Sequence, residues 1–434
     1  MSLSRYLKIF PEPAHPGFVL IYSTKRGSLV RIPKRLLAEA QNETLCEADR
    51  KTLNRLEIWV DDVNVERDTM ADLIEQTNSC SATFIATVVL TLDCNLACHY
   101  CFEDSFRGKH SMNTETTRRL VANIKQEQID RGRDVEVRFY GGEPLMAIPL
   151  IMEIAGSLRD AAIIAGTKFS CSLVTNATLL TRSVVEELLP FGLKSAQITL
   201  DGPAEVHNLQ RPFVSGYGSF ATIVENLLSV YHLITIKPGG NFTKDNYREF
   251  PSMLDALLNA GMDPKKVGPV QFAPIHPKSG GHSPHSADCA IGSDPWIIEA
   301  NLFLREETIR RGFIVDRPHM GVCMIELTNN IVVNYDGTLY KCPALMGWPE
   351  LAIGTLVEGI TDYRESHKLE IWKNDECLDC AYLPLCFGGC RFFRKLETGD
   401  INGVDCRRAV LDVSLETIVR QDLGRTQKLR SPPE

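Results

Sequence analysis

Thr91–Cys101 reads TLDCNLACHYC, placing Cys94, Cys98 and Cys101 in a C-x3-C-x2-C spacing. The loop follows an apolar, β-rich run, Thr83–Leu92, so it is expected at the C-terminal end of a buried strand. Three thiolates on one tight loop can converge on three irons of a [4Fe–4S] cube, leaving the fourth iron open to a substrate or cofactor. A zinc knuckle would need a fourth ligand nearby. His99 is available, but next to Cys98 it is expected to point away.

Outward from this loop, short β-rich runs alternate with longer helical ones. Strands are expected at Thr83–Leu92, Val135–Phe139, Phe169–Val174, Ala196–Leu200, Leu233–Ile236 and Val270–Ile275. Helical patterns lie near Asn113–Arg131, Ile148–Ile164, Thr181–Leu189, Ser219–Tyr231 and Asn246–Ala260. Such alternation implies parallel strands with crossover helices, an α/β fold. Six strands fall short of a full (β/α)8 barrel, so a partial (β/α)6 barrel is expected, with its functional residues at the C-terminal strand ends.

Upstream, Gly17–Thr24 and Ser28–Ile32 form an expected hairpin turned at Lys25–Gly27, with helices near Lys34–Gln41 and Ala48–Leu56. Downstream, Asn334–Lys341 with Asp336-Gly337 reads as another hairpin. Arg407–Asp422 reads as a terminal helix, and Gly424–Glu434 as a polar, frayed tail. The expected domains are 1–80, a small α+β module; 81–315, the barrel; 316–410, a cysteine-rich domain; and 411–434, the helix and tail.

The net charge of −8 over 434 residues disfavours a nucleic-acid partner, which would need a basic face. No apolar run has the length of a membrane span, and the first ten residues lack a signal-peptide core, so a cytoplasmic protein is expected. There thiols stay reduced, and the cysteines read as metal ligands rather than disulfides. Of the fourteen, ten crowd into Cys94–Cys101 and Cys323–Cys406. Cys46, Cys80 and Cys171 fit the role of small hydrophobes. The C-terminal set is Cys323, Cys342, then Cys377-x2-Cys380-x5-Cys386-x3-Cys390, then Cys406. Seven cysteines exceed one four-ligand zinc site; two zinc ribbons are the alternative.

The cysteine loop resembles the signature of the radical S-adenosylmethionine (SAM) superfamily. Three further segments carry the resemblance: Gly141-Gly142-Glu143-Pro144, Thr175-Asn176, and Thr199-Leu200-Asp201-Gly202-Pro203 with His207 and Arg211 after it. The resemblance implies a [4Fe–4S] cluster on Cys94, Cys98 and Cys101, which reductively cleaves SAM to a 5′-deoxyadenosyl radical that abstracts a substrate hydrogen. Tyr100 would pack against adenine. Gly141, Gly142, Glu143 and Pro144 would receive the methionine amino group. Thr175, Asn176, Thr199 and Asp201 would line the cofactor, and Arg211 would fork its carboxylate.

The C-terminal pattern resembles the seven-cysteine SPASM domain of peptide and protein maturases. By that resemblance Cys377, Cys380, Cys386 and Cys406 hold auxiliary cluster II, and Cys323, Cys342 and Cys390 hold auxiliary cluster I, making three [4Fe–4S] clusters in all. Auxiliary cluster I then keeps an open iron or takes Cys289 from a loop that also carries His276, His282 and His285. That loop is expected to face the substrate.

Sulfatase-maturing enzymes resemble one another in carrying Asp after the cysteine matching Cys342; here Pro343 stands there. The N-terminal module resembles the leader-recognition element of peptide maturases. Ser4–Ile9 and Tyr22–Thr24 resemble geopeptide-type maturases. The expected function is modification of a ribosomal precursor peptide, with a thioether as product and a flavodoxin or ferredoxin as electron donor. Carbon–carbon or cyclophane cross-linking, epimerisation and sulfatase maturation are the alternatives. An iron–sulfur electron carrier without catalysis is the reading from a different class, and release of 5′-deoxyadenosine on reduction separates it.

Overall fold

A computed structural model describes residues 2–101, 103, 106–276 and 294–430. The chain divides into two compact units, one of residues 81–316 and 328–367, the other of 1–80, 317–327 and 368–434.

The first unit is built on one ten-stranded sheet. Its strands are β1 (Thr83–Thr91), β2 (Asp134–Gly141), β3 (Phe169–Thr175), β4 (Leu193–Thr199), β5 (Thr235–Phe242) and β6 (Gln271–Pro274), followed by β7 (Asn330–Val333) and β8 (Thr338–Tyr340). The strands β1 to β6 are parallel and lie side by side in chain order. A short antiparallel extension beginning with β8 continues past β7, which pairs in parallel with β1. Each step between neighbouring parallel strands needs a crossover. The crossovers carry α1 (Thr114–Glu127), α2 (Ile148–Ala165), α3 (Arg182–Leu188), α4 (Ala204–Gln210), α5 (Phe220–Val230) and α6 (Phe250–Asn259), and α7 (Pro295–Arg310) follows β6.

Local sequence explains these elements. Strand β1 is apolar nearly throughout because both of its faces are covered: Phe84, Ala86, Val88, Val89 and Leu90 are all buried. Helix α2 buries Ile151, Ile154, Ala155, Leu158, Ala161 and Ala162, one stripe at helical spacing. Asn113 caps α1, its side chain accepting from Thr116 N–H at 2.9 Å, and Thr181 caps α3.

The second unit holds an antiparallel sheet of Leu7–Pro11, Phe18–Ser23 and Ser28–Pro33. Its helices include Lys34–Gln41, Glu47–Arg55, Val63–Cys80, Arg391–Thr398 and Arg408–Arg430. Tyr6, Met70 and Ile74 share a core with Trp372, Leu383 and Phe387. Phe10, Leu20 and Tyr22 share another with Tyr382, Leu415 and Val419. The Tyr6 hydroxyl donates to Leu378 O at 3.1 Å.

Three differences from the sequence reading stand out. The N-terminal eighty residues are not a module apart; they complete the core around residues 368–434. Residues 328–367, expected in the cysteine-rich domain, extend the barrel sheet instead. The terminal helix runs Arg408–Arg430, through Gly424, where a frayed tail was expected. No helix among the described residues is long and apolar enough to cross a membrane.

Candidate active site

The cysteine loop leaves β1 and is pinned on both sides. Cys94 N–H donates to Asp93 Oδ1 at 2.9 Å, and Arg107 Nη2 donates to Cys94 O at 2.9 Å. Across the loop, Ala97 N–H donates to Pro212 O at 2.8 Å and Val214 N–H to Asn95 O at 3.0 Å, fixing it against the segment that carries Arg211. The thiols are largely enclosed. Burial pushes Cys94 up to about 11, partly countered by Leu96 N–H, and pushes Cys101 up to about 12, with Glu103 adding to the rise. Cys98 is raised by burial as well. Such thiols ionise at neutral pH only when a metal replaces the proton.

Gly141-Gly142-Glu143 closes the loop's stem. Strands β1 and β2 end opposite one another, Thr91 facing Gly141. Gly142 N–H donates to Thr91 O and Glu143 N–H to Asp93 O, both at 2.9 Å. A Cβ on Gly141 would stand 2.2 Å from Thr91 O, and one on Gly142 2.2 Å from Asp93 O, so only glycine lets the two backbones meet.

The Glu143 carboxylate is fully buried. Its Oε1 accepts from Leu145 N–H at 2.9 Å and the Thr175 hydroxyl at 2.7 Å, and its Oε2 accepts from Asn176 N–H at 2.7 Å. Three of about four lone-pair directions are therefore occupied by the protein. Glu143 ties the end of β2 to the end of β3. Pro144 opens the short helical turn that Glu143 caps. Asn176 Nδ2 reaches Asn95 Oδ1 at 2.9 Å and Cys94 Sγ at 3.7 Å.

A second polar cluster sits past β4 and at the end of β5. The Tyr100 hydroxyl donates to Asp201 Oδ2, and accepts from Arg211 Nη1 at 2.6 Å and Asn241 Nδ2 at 3.0 Å. Asn241 N–H donates to Asp201 Oδ1 at 2.6 Å. Burial raises the Asp201 carboxyl, against the pull of the Arg211 charge. Tyr100 thus contributes its hydroxyl to this network. Arg211 keeps a buried Nε–H with no partner among the described residues, which suits it to a carboxylate ligand.

His207 braces this corner. Its Nδ1 accepts from Asp201 N–H at 3.0 Å, its Nε2 lies 3.0 Å from Ser219 Oγ, and Ser219 Oγ donates to Arg211 O at 2.6 Å. Burial, then the Arg211 charge, push His207 down to about 3, so its ring is neutral. Thr199 ends β4 opposite Gly239 of β5.

Sequence reasoning missed Asn241, Arg107, Asn95 and Glu103. Glu103 is buried with Oε1 unpartnered among the described residues, and burial pushes it up to about 7, against hydrogen bonding from Tyr140. Only their positions at or beside strand ends hint at them.

In the second unit, Cys377, Cys380, Cys386 and Cys406 line one cavity of about 320 Å³ with Asn374, Tyr382 and Arg408. The Asn374 side chain accepts from Cys377 N–H at 3.0 Å and caps the turn that carries Cys377 and the cysteine three residues on. Burial raises Cys377, and pushes Cys386 up to about 11. Cys323 and Cys390 lie in this unit also, close enough that each ionised Cys323 raises Cys390, after the larger effect of burial. Cys342 follows β8 in the barrel unit, where its charge is felt at Tyr140. Cys289, His282 and His285 lie outside the described residues, and His276 stands two residues past β6. No three His, Cys, Asp or Glu side chains among the described residues converge on a single-ion site. A cubane asks less, since each cysteine binds a different iron.

Residues 88–239 match the family model described as the Radical SAM superfamily. A cysteine-type anaerobic sulfatase-maturating enzyme of Clostridium perfringens is 29% identical over 327 residues, 69% of this chain and 86% of that one. Mycofactocin maturase MftC of Mycobacterium ulcerans is 26% identical over 356 residues, covering 75% and 88%. Among solved structures, anSMEcpe with bound AdoMet superposes at a TM-score of 0.61, with 18% identity and 80% and 98% coverage. SuiB of Streptococcus suis, bound to precursor peptide SuiA, gives 0.54, with 15% identity and 94% and 99% coverage. The chain thus carries a radical SAM domain, and the relatives it resembles along most of its length are SPASM-type maturases.

Proposed function

We propose that this enzyme modifies a ribosomally synthesised precursor peptide by forming a thioether. The observation that carries the catalytic part is the convergence at one set of strand ends. Cys94, Cys98 and Cys101 share a loop stapled to Gly142 and Glu143, and Arg211, which lies within the segment pinned to that loop, keeps a buried donor without a partner among the described residues. Cys94, Cys98 and Cys101 would hold a [4Fe–4S] cluster, which would supply the electron for reductive cleavage of SAM to methionine and a 5′-deoxyadenosyl radical. Arg211 would take the SAM carboxylate, while His207 and Ser219 hold its main chain in place. The buried network around Tyr100 keeps water from the reacting end.

Making a carbon–sulfur bond from a thiol removes one hydrogen atom, one proton and one electron. The four-cysteine cavity of the second unit, with Cys323 and Cys390 in the same unit, supports auxiliary [4Fe–4S] clusters as the electron's destination, three clusters in all. A flavodoxin or ferredoxin would supply the first electron. A peptide substrate is supported by the fold shared with SuiB, whose structure holds its precursor peptide SuiA. Resemblance to sulfatase-maturating enzymes favours a second reading, a sulfatase substrate. Pro343, opening a short helical turn after Cys342, cannot serve as the carboxylate base that those enzymes carry there.

The test is anaerobic reconstitution and reduction with SAM, followed by coexpression with neighbouring small open reading frames. Release of 5′-deoxyadenosine and a precursor lighter by two hydrogens, with its cysteine blocked to alkylation, are the expected results. An unaltered precursor alongside formylglycine in a sulfatase peptide would overturn the peptide reading.

A further inference from the structure

Arg391 and Glu326 form an ion pair in the second unit, Nη2 to Oε1 at 2.9 Å, with each side chain only 1% exposed. Stability alone does not call for charges there, because apolar residues of the same volume usually do as well. The pair spans the segments that carry two cysteines. Glu326 follows Cys323 by one short turn, its N–H donating to Cys323 O at 3.0 Å. Arg391 is the first residue of a helix capped by Cys390.

The surroundings hold both partners in place. Glu370 N–H donates to both Glu326 oxygens, at 3.2 and 3.0 Å. Arg391 donates to Lys368 O at 3.3 Å and Gly388 O at 3.4 Å. Lys368 and Glu370 both adopt left-handed φ, 48° and 61°, which β-carbon-bearing residues take up only when neighbours impose it. Cys390 N–H is fixed separately, on Asp405 Oδ2 at 2.9 Å.

One polar atom remains unsatisfied: Arg391 Nε is buried and has no partner among the described residues. It belongs to the residue that directly follows Cys390 and pairs with Glu326, one short turn past Cys323. A buried donor on the residue next to Cys390 lacks only an acceptor, and an iron–sulfur cluster held there would present several.

We propose that Arg391, clamped by Glu326, is a positioning residue for an auxiliary iron–sulfur cluster on Cys323 and Cys390, and donates its Nε–H to that cluster's sulfur. The inference rests on the proposal above that these cysteines are cluster ligands. Reduction adds negative charge to a cluster, so a donor and a fixed cation beside it raise its potential. Arg391 therefore makes this cluster the easier electron acceptor.

The test uses reconstituted full-length enzyme, iron analysis and redox titration followed by electron paramagnetic resonance. Arg391→Lys keeps the charge and loses the Nε donor. A double variant, Glu326→Met with Arg391→Met, removes both charges while keeping the core filled. The expected result is a lower potential for one cluster in Arg391→Lys and a further fall, or selective loss of that cluster, in the double variant. Full iron with every potential unmoved in both variants would overturn the proposal, even if melting temperature drops. Cys323→Ala serves as the control: wild-type iron content there would instead overturn the ligand reading itself.

Discussion

His207 offers a measure of how tightly the Arg211 corner is built. Its ring is fully buried between Asp201 N–H and Ser219, and burial holds it near 3 in the folded state. The unfolded chain titrates near 6.5. Between those values the unfolded state binds a proton that the folded state refuses, so stability falls as pH drops below about 6.5. From pH 7 to pH 5 the loss from this one group is about 2 kcal/mol, by linkage. The figure is insensitive to the folded value, because 3 already lies well below pH 5. His207→Asn, which has no proton to take up, should lose about 2 kcal/mol less than wild type over the same interval. Urea unfolding of both proteins at the two pH values, read by tryptophan fluorescence, gives the difference. Parallel slopes would refute the argument, and would mean that the ring is protonated or exposed in the folded enzyme.

Further outcomes follow from other parts of the structure. Replacing Cys94, Cys98 and Cys101 by Ala should remove one cluster and abolish 5′-deoxyadenosine formation, with iron retained in the second unit; persistent SAM cleavage would count against the loop. Reconstituted enzyme should carry about twelve irons per chain if three cubanes form, and a plateau near four by iron analysis would exclude the auxiliary sites. Gly142→Ala puts a Cβ 2.2 Å from Asp93 O, so it should cost about 1–3 kcal/mol and show reduced iron at the barrel site with the second unit's iron unchanged. Arg211→Lys loses the fork at a charge-assisted contact worth about 1.5–3 kcal/mol, which should raise KM for SAM roughly 10- to 100-fold in a 5′-deoxyadenosine assay. Asn374→Ala removes the cap on the Cys377 turn, at about 1 kcal/mol, and should speed iron loss to a chelator.

Local patterns made much of the barrel legible. Cysteine spacing is a local property, and so is the unbroken apolar run of a doubly covered strand such as β1. Strand β5 was misplaced because its centre reads Pro238-Gly239-Gly240, which resembles a turn. The glycines are there for close approach: a Cβ on Gly240 would stand 2.0 Å from Leu200 O. Asn241 went unseen for a related reason. A single Asn at a strand end carries no spacing, and its role arises only when β5 lies beside β4 and meets Asp201. Tyr100 was expected to stack on adenine through its ring; its hydroxyl engages three neighbours that lie far away in sequence. The N-terminal hairpin was readable from its turn. Its burial against Tyr382 and Leu415 was not, since apolar residues mark a buried face without naming what covers it.

That shared core sets an order of events during synthesis. Residues 2–80 leave the ribosome before the barrel strands, yet Tyr6 and Met70 find their cover only when Trp372 and Phe387 have been made. The six parallel strands, encoded between them, can pair while translation continues, because each lies beside its predecessor. The opening segment must therefore wait, its apolar face open to chaperones or to stray contacts, until the far end arrives. A truncation that removes residues 1–80 but spares Cys323, Cys377, Cys380, Cys386, Cys390 and Cys406 should leave the second unit unable to close around them. Leader recognition is then better probed with surface substitutions than by deletion.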